Sequence, residues 1–202
     1  MRKTILAKHA LLPARSRPPA FGSTSHVRII GGAWRSRRIQ FHGRQDLRPT
    51  PDRVRETLFN WLGQQFTGEW CLDLFAGSGA LGFEAASRGA GRVVMVEQDR
   101  LALAALERNK TLLGADCVEI RSGDALDHLR RREDRFDIVF LDPPFRLDQW
   151  VPLLELLPAR LRPGARIYIE SGEPLELSAC WSELKRGRAG QVSYQLWQWG
   201  EA

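Results

Sequence analysis

Short apolar runs recur along the chain, and nearly every gap between them is filled by a segment whose apolar residues repeat at helical spacing. Strands are predicted near 70–75, 92–97, 117–121, 136–141 and 165–170, with helices over 80–88, 99–113, 125–133 and 148–160 between them. Such alternation predicts an α/β, Rossmann-like domain with a parallel sheet, helices on both faces and right-handed crossovers. The end of the chain breaks the rhythm. Segments near 180–186 and 191–199 are separated only by a loop containing Gly187 and Gly190, so they predict a hairpin that makes the last of seven strands antiparallel. Val192, Tyr194 and Leu196, flanked by Trp197 and Trp199, fit a strand with one buried face. Ahead of the alternating region, Val27 to Phe41 reads as a hairpin that presents Arg35, Arg37 and Arg38 together. A helix follows, with Thr50 as its expected N-cap, Pro51 as its first residue and Asp52 favourable to its dipole. Val54, Leu58, Trp61, Leu62 and Phe66 form its stripe, while Arg53 and Arg55 fall off it, free to reach a phosphate. No internal repeat is visible.

Two loops should share the carboxyl edge of this sheet, which is where α/β proteins bind ligands. The first is Asp73–Gly82, in which Gly77, Gly79 and Gly82 fit G-x-G-x-x-G between a strand and a helix. Glu97 ends the next apolar run roughly twenty residues later, as a carboxylate that hydrogen-bonds a ribose should. NAD and S-adenosylmethionine share that ribose. Asp73 favours the second, since an acid just before the turn suits the ammonium of a methionyl tail and would repel a pyrophosphate. Asp124, after a third run, is placed to accept from an adenine amino group. Each acid alone reads as a solvated strand end; four acids, each following an apolar run, form a pattern.

The second loop is Asp142, Pro143, Pro144 and Phe145, following FDIVFL. The exocyclic amino group of a nucleobase is a poor nucleophile because its lone pair is delocalised into the ring. Asp142 and the Pro143 carbonyl can both accept from one NH2 and turn that lone pair towards a methyl donor. Consecutive prolines keep the loop extended, and Phe145 can stack on an unpaired or flipped base. The plain alternative is a rigid turn with a packed phenylalanine.

Charge adds a partner. The formal net charge is +6, yet residues 1–55 hold 13 Lys and Arg against 2 acids whereas residues 56–202 hold 17 against 22. A basic arm beside a mildly acidic domain reads as a nucleic-acid grip, with Arg28, Arg35, Arg37, Arg38, Arg48, Arg53 and Arg55 as its candidates. Trp34 could stack on a nucleotide beside Arg35, but anchoring the hairpin to the domain is the preferred reading. The three cysteines, Cys71, Cys117 and Cys180, are expected to be small buried hydrophobes in a reducing compartment. The four histidines lack metal-ligand spacing, so no metal is expected, and no apolar run reaches membrane-spanning length.

Taken together, Arg28–Ile39 (RIIGGAWRSRRI), Leu47–Leu62 (LRPTPDRVRETLFNWL), the glycine loop and the DPPF loop resemble the bacterial family of class I S-adenosylmethionine-dependent methyltransferases that modifies N2 of one guanine in 16S ribosomal RNA. The likeness runs from residue 27 to the C-terminus. It implies that Gly77, Ser78 and Gly79 line the cofactor, Glu97 takes the ribose, Asp124 and Ala125 meet the adenine, and Asp142 to Phe145 hold the guanine. It also implies a cytoplasmic monomer acting on 16S rRNA within a small-subunit particle. The expected organisation is a disordered basic leader over 1–26, a basic hairpin extension over 27–46 and the methyltransferase domain over 47–202. The leader resembles an organellar transit peptide in composition, and the bacterial likeness favours an extended start instead. Two other readings stay open: a DNA adenine-N6 methyltransferase, which shares DPPF-type loops, and a non-catalytic RNA-binding assembly protein of the same fold.

Overall fold

The computed structural model describes residues 24–42, 50–143 and 150–200. Strands β1 (Thr24–Arg28) and β2 (Arg38–His42) pair antiparallel, with Val27 opposite Ile39, and α1 (Asp52–Leu62) follows. Strand β1 starts three residues ahead of the expected boundary at Val27. The alternating region comprises β3 (Trp70–Asp73), α2 (Ala80–Ser87), β4 (Arg92–Glu97), α3 (Arg100–Leu113), β5 (Val118–Ser122), α4 (Ala125–Arg131), β6 (Phe136–Leu141) and α5 (Trp150–Leu156). A 3₁₀ turn at Leu157–Arg160 leads into β7 (Leu161–Ser171), and β8 (Trp181–Ala189) and β9 (Val192–Trp199) close the chain.

Seven strands form one sheet in the order β5-β4-β3-β6-β7-β9-β8. The first five are parallel and β9 runs antiparallel to both β7 and β8, as the pattern predicts. Two further boundaries moved by four residues. The helix expected to reach 160 ends at Leu156, where the chain tightens into the 3₁₀ turn containing Pro158, and β7 begins four residues early. Gly187 lies inside β8 opposite Tyr194, so it marks a ring against the backbone and not a loop.

Alternate residues of each strand face opposite ways. Val93, Met95, Ile138, Phe140 and Tyr168 therefore join one core with Leu58 of α1, Phe83 of α2 and Leu106 of α3, while Val94, Val96, Val139, Leu141 and Ile169 join another with Leu126 of α4 and Leu153 of α5. The β1–β2 hairpin packs into the first core through Val27, Ile29, Ile39 and Phe41, with Trp34 half-buried against it in the anchoring role. Gly32 (φ +73°) allows this contact, since a Cβ there would lie 1.8 Å from the Ser87 carbonyl oxygen. The amides of Ala33 and Ile30 donate to that carbonyl (2.7 Å) and to Glu84 Oε2 (2.8 Å).

Arg55 corrects the sequence reading. It is fully buried, donating to Asp52 Oδ1 (2.6 Å) and to the Arg28 carbonyl (2.8 Å), and it lies 3.5 Å from buried Glu84. Arg88 donates to the same glutamate (2.8 Å) and stacks on Phe59. This cluster joins the hairpin, α1 and α2, and its arginine is not available to a phosphate. The cysteines differ as well: Cys71 is buried, Cys117 half-buried and Cys180 exposed at a turn.

Candidate active site

The strand order places β3 between β4 and β6, so the crossovers leave in opposite directions at its carboxyl end. There the chain forms the glycine loop. Leu74 N–H donates to the Phe140 carbonyl of β6 and Ala76 N–H to the Val96 carbonyl of β4, which ties the loop to both neighbours. Gly77 (φ +50°) and Gly79 (φ +79°) turn the backbone into α2, and a Cβ on Gly79 would meet Leu106 at 2.6 Å. Ser78 is buried, with its Oγ accepting from Ala80 N–H (3.3 Å).

Glu97, at the end of β4, braces this loop from the side. Its Oε2 accepts from Gly77 N–H and its Oε1 from Gln98 and Asp99 N–H, all at 2.8 Å. A carboxylate has about four acceptor positions, so one stays available for a hydroxyl. The Gly123 amide donates to the Glu97 carbonyl (2.9 Å), drawing the end of β5 to the same edge. Asp124 is exposed and N-caps α4 with Oδ1, which accepts from Leu126 (2.9 Å) and Asp127 (3.1 Å), and Ala125 is the first, buried residue of that helix. Asp73 lies beneath the loop, 2% exposed, with Oδ2 accepting from Gly82 N–H (3.0 Å). Burial, together with Asp142 and Glu97 nearby, pushes its carboxyl up to about 7 against the pull of that amide. A cation arriving at the loop would restore its charge.

Asp142 follows β6, half-buried, with Pro143 buried behind it. Pro144, Phe145 and Arg48 lie outside the described residues. Thr50 Oγ1 donates to Asp142 Oδ2 at 3.0 Å, so this threonine does not cap α1 as its sequence context predicts. Glu170, near the end of β7, is also buried and sits beside Asp142, because Leu141 pairs with Ile169 one position earlier. Tyr168 O–H donates to Glu170 Oε1 (2.7 Å). Burial raises Asp142 to about 6; burial and the neighbouring Asp142 raise Glu170 to about 8.

Thr50, Tyr168 and Glu170 are the site residues that sequence reasoning missed. Glu170 ends an apolar run (RIYIE) just as Glu97 ends RVVMVE, so the rule that picked out four acids picks out a fifth. Thr50 was masked by a plausible capping role.

Beside Thr50 a groove of about 450 Å³ opens between α1 and the hairpin, walled by His26, Arg28, Arg38 and Asp52. Arg28 lies 3.3 Å from Asp52 with both largely exposed, and Arg35, Arg38 and Arg53 are exposed. Arg37 is exposed too, and its guanidinium donates to the Leu112 carbonyl. Among the described residues no group of three or more His, Cys, Asp or Glu could hold a metal, and no helix is long and apolar enough to cross a membrane.

Comparison with known proteins gives this edge a context. A family model described as conserved hypothetical protein 95 matches residues 27–198. The chain is 42% identical over 180 residues to ribosomal RNA small subunit methyltransferase D of Haemophilus influenzae, covering 85% of this chain and 93% of that protein. The solved structure of the Escherichia coli protein yhhF superposes with a TM-score of 0.81 at 42% identity, covering 88% of this chain and all of the other. A more distant likeness, of fold alone, is to the T. thermophilus 16S rRNA N2 G1207 methyltransferase RsmC solved with AdoMet and guanosine, with a TM-score of 0.67 at 24% identity over 91% of this chain and 52% of that one.

Proposed function

The chain belongs to the family described as conserved hypothetical protein 95, and from that membership and the geometry of the carboxyl edge we propose that it transfers a methyl group from S-adenosylmethionine to the exocyclic N2 of a guanine in 16S ribosomal RNA. The observation that carries the reading is the placement of Asp142 and Pro143 just past the end of β6, directly beside the strand that ends in the glycine loop. One crevice then serves cofactor and base together.

The residues present fit S-adenosylmethionine. Gly77, Ser78 and Gly79 offer a side-chain-free turn at a helix start, Glu97 keeps an acceptor position for a ribose hydroxyl, and Asp73 is a buried acid suited to a nearby ammonium. Asp124 and Ala125 would meet the adenine, and Asp124 keeps Oδ2 clear of its capping bonds for this. When bound, the cofactor supplies a methyl group on a sulfonium, an electrophile that needs no further activation. The protein's work is therefore orientation and electrostatics.

Asp142, with Oδ2 engaged by Thr50, presents Oδ1 to one N–H of the target amino group. The Pro143 carbonyl takes the other, and Pro144 and Phe145 are assigned to the base by the resemblance alone. Arg28, Arg35, Arg38 and Arg53, with Arg48, would hold phosphates of the RNA strand, so the extension expected over 27–46 would serve the catalytic domain as its grip on the substrate.

The test is incubation of the purified protein with methyl-labelled S-adenosylmethionine and small-subunit particles from cells lacking it, followed by nucleoside analysis. Labelled N2-methylguanosine is expected. Label in N6-methyladenosine, or none in RNA, overturns the reading. S-adenosylhomocysteine at 100 times its dissociation constant should add about 2.7 kcal/mol of stability, with NAD adding none.

A further inference from the structure

The outer face of the hairpin carries a charge arrangement that folding alone does not call for. Val27, Ile39 and Phe41 point into the core, so alternation along the strands turns His26, Arg28 and Arg38 the other way, towards the groove beside Thr50 that they wall. Arg28 and Arg38 are direct cross-strand partners, and like charges in that position repel each other. Relief reaches only one of them. Asp52 Oδ2 lies 3.3 Å from Arg28, whereas the guanidinium of exposed Arg38 has no hydrogen-bond or ion-pair partner among the described residues. An anion set between the two guanidiniums would replace the repulsion with charge-assisted hydrogen bonds.

The α1 side of the groove has the opposite character. Asp52 Oδ1 accepts from buried Arg55 at 2.6 Å, which holds the carboxylate in place and, with the Arg28 contact, leaves about half of its acceptor positions open. An ionised carboxylate only accepts, so this wall repels a phosphate and receives an N–H. Exposed His26 offers a ring on which an unpaired base can stack. Phosphate, planar ring and N–H edge on one molecule describe a nucleotide, and a volume of about 450 Å³ suits a small ligand. Thr50 lines the groove and donates to Asp142 Oδ2 (3.0 Å), so a single side chain separates the groove from the acid that awaits the target amino group.

We propose that this groove is a second nucleotide subsite, which takes the residue adjoining the target guanine in the RNA, with its phosphate between Arg28 and Arg38 and its base edge against Asp52. The inference rests on the methyl-transfer reading, which supplies the guanine at Asp142. Asp52 then becomes a specificity-determining residue, favouring a neighbouring base that turns an amino group towards it over the carbonyl-rich edge of uracil.

The test uses small-subunit particles from cells lacking the protein. A photoreactive benzoylphenylalanine in place of His26 should cross-link to a nucleotide directly adjoining the methylated guanine, mapped by primer extension; a cross-link elsewhere, or none, overturns the proposal. Arg38→Gln should raise KM for the particles on the order of 10-fold with kcat retained. Its melting temperature at low salt should be no lower than that of the wild type, since the cross-strand repulsion is gone; an unmoved KM or a lower melting temperature counts against the subsite. Asp52→Asn decides between a nucleotide and a bare phosphate. Arg55 keeps the amide oxygen, so a donor NH2 replaces the acceptor that faces the groove. If phosphate alone binds there, loss of a negative charge lowers KM; with a base edge against Asp52, KM should rise on the order of 10-fold. A KM at or below that of the wild type overturns the assignment, and if Asp52→Asn does not fold, the cross-link and Arg38→Gln decide. Wild-type protein that leaves no methylated guanine overturns the methyl-transfer reading itself, a failure distinct from methylation that proceeds with KM unmoved by these variants.

Discussion

Half-buried Asp142 and buried Asp73 are acids at neighbouring strand ends that meet different demands. Asp142 must remain an acceptor for the amino group, so Asp142→Ala should lower turnover by on the order of 10²- to 10³-fold, the effect of removing one positioned polar group. Cofactor affinity should change little, and wild-type turnover would reduce Asp142 to a turn residue. Asp73 instead sits under the glycine loop, where burial pushes its carboxyl up to about 7. The folded protein then holds a proton that the unfolded chain releases near about pH 4, so stability of the cofactor-free protein falls as pH rises between those values. Asp73→Asn can still accept from the Gly82 amide but cannot ionise. Its melting temperature should decline less than that of the wild type between about pH 4 and 7; parallel curves would show that Asp73 is ionised throughout. Both acids were legible from their position after apolar runs. Their protonation was not, because it depends on neighbours brought together from β3, β4, β6 and β7.

At the scale of elements, α1 shows where periodicity stops informing. Of the expected stripe Val54, Leu58 and Leu62 are buried as the spacing predicts, Trp61 is half-buried and Phe66 lies beyond the helix end, while Arg55 and Phe59 are buried too. A charged residue off the apolar stripe reads as solvent-facing, and only Glu84, 29 positions along the chain, shows otherwise. Removing Arg55 leaves Glu84 with Arg88 and one amide in a dry site, so Arg55→Ala should destabilise the protein by on the order of 3 kcal/mol. The salt dependence of RNA binding should stay as it was. Denaturant midpoints and binding titrations check the two halves, and an undiminished midpoint with a shallower salt slope would return Arg55 to the phosphate-binding set. Thr50 follows the same logic in reverse, since its local context suits a cap and its actual partner lies 92 residues away.

For the molecule as a whole, alternation of strands and helices sufficed to read the parallel sheet and its antiparallel ending, because each crossover leaves few topologies open. The standing of the basic arm was less legible. Charge alone describes a tail, whereas the hairpin is bolted to α2 by Ser87 and Glu84 and packed into the core, so its arginines project from a fixed frame. Replacing Arg35 and Arg38 with alanine should flatten the slope of log affinity against log salt by about 1.4, at roughly 0.7 per contact with unpaired RNA, with turnover at saturating RNA retained. An unchanged slope would move the grip to Arg28, Arg48 and Arg53. The rims of the sheet have a consequence of another kind. Its outermost strands, β5 and β8, carry Glu119 with Arg121 and exposed Lys185, Arg186 and Arg188, so a foreign strand laid against either rim would have to strip water from those charges. The open ends of the sheet thus resist growth into fibrils, which helps a chain with this much β-structure stay dispersed in a crowded cell.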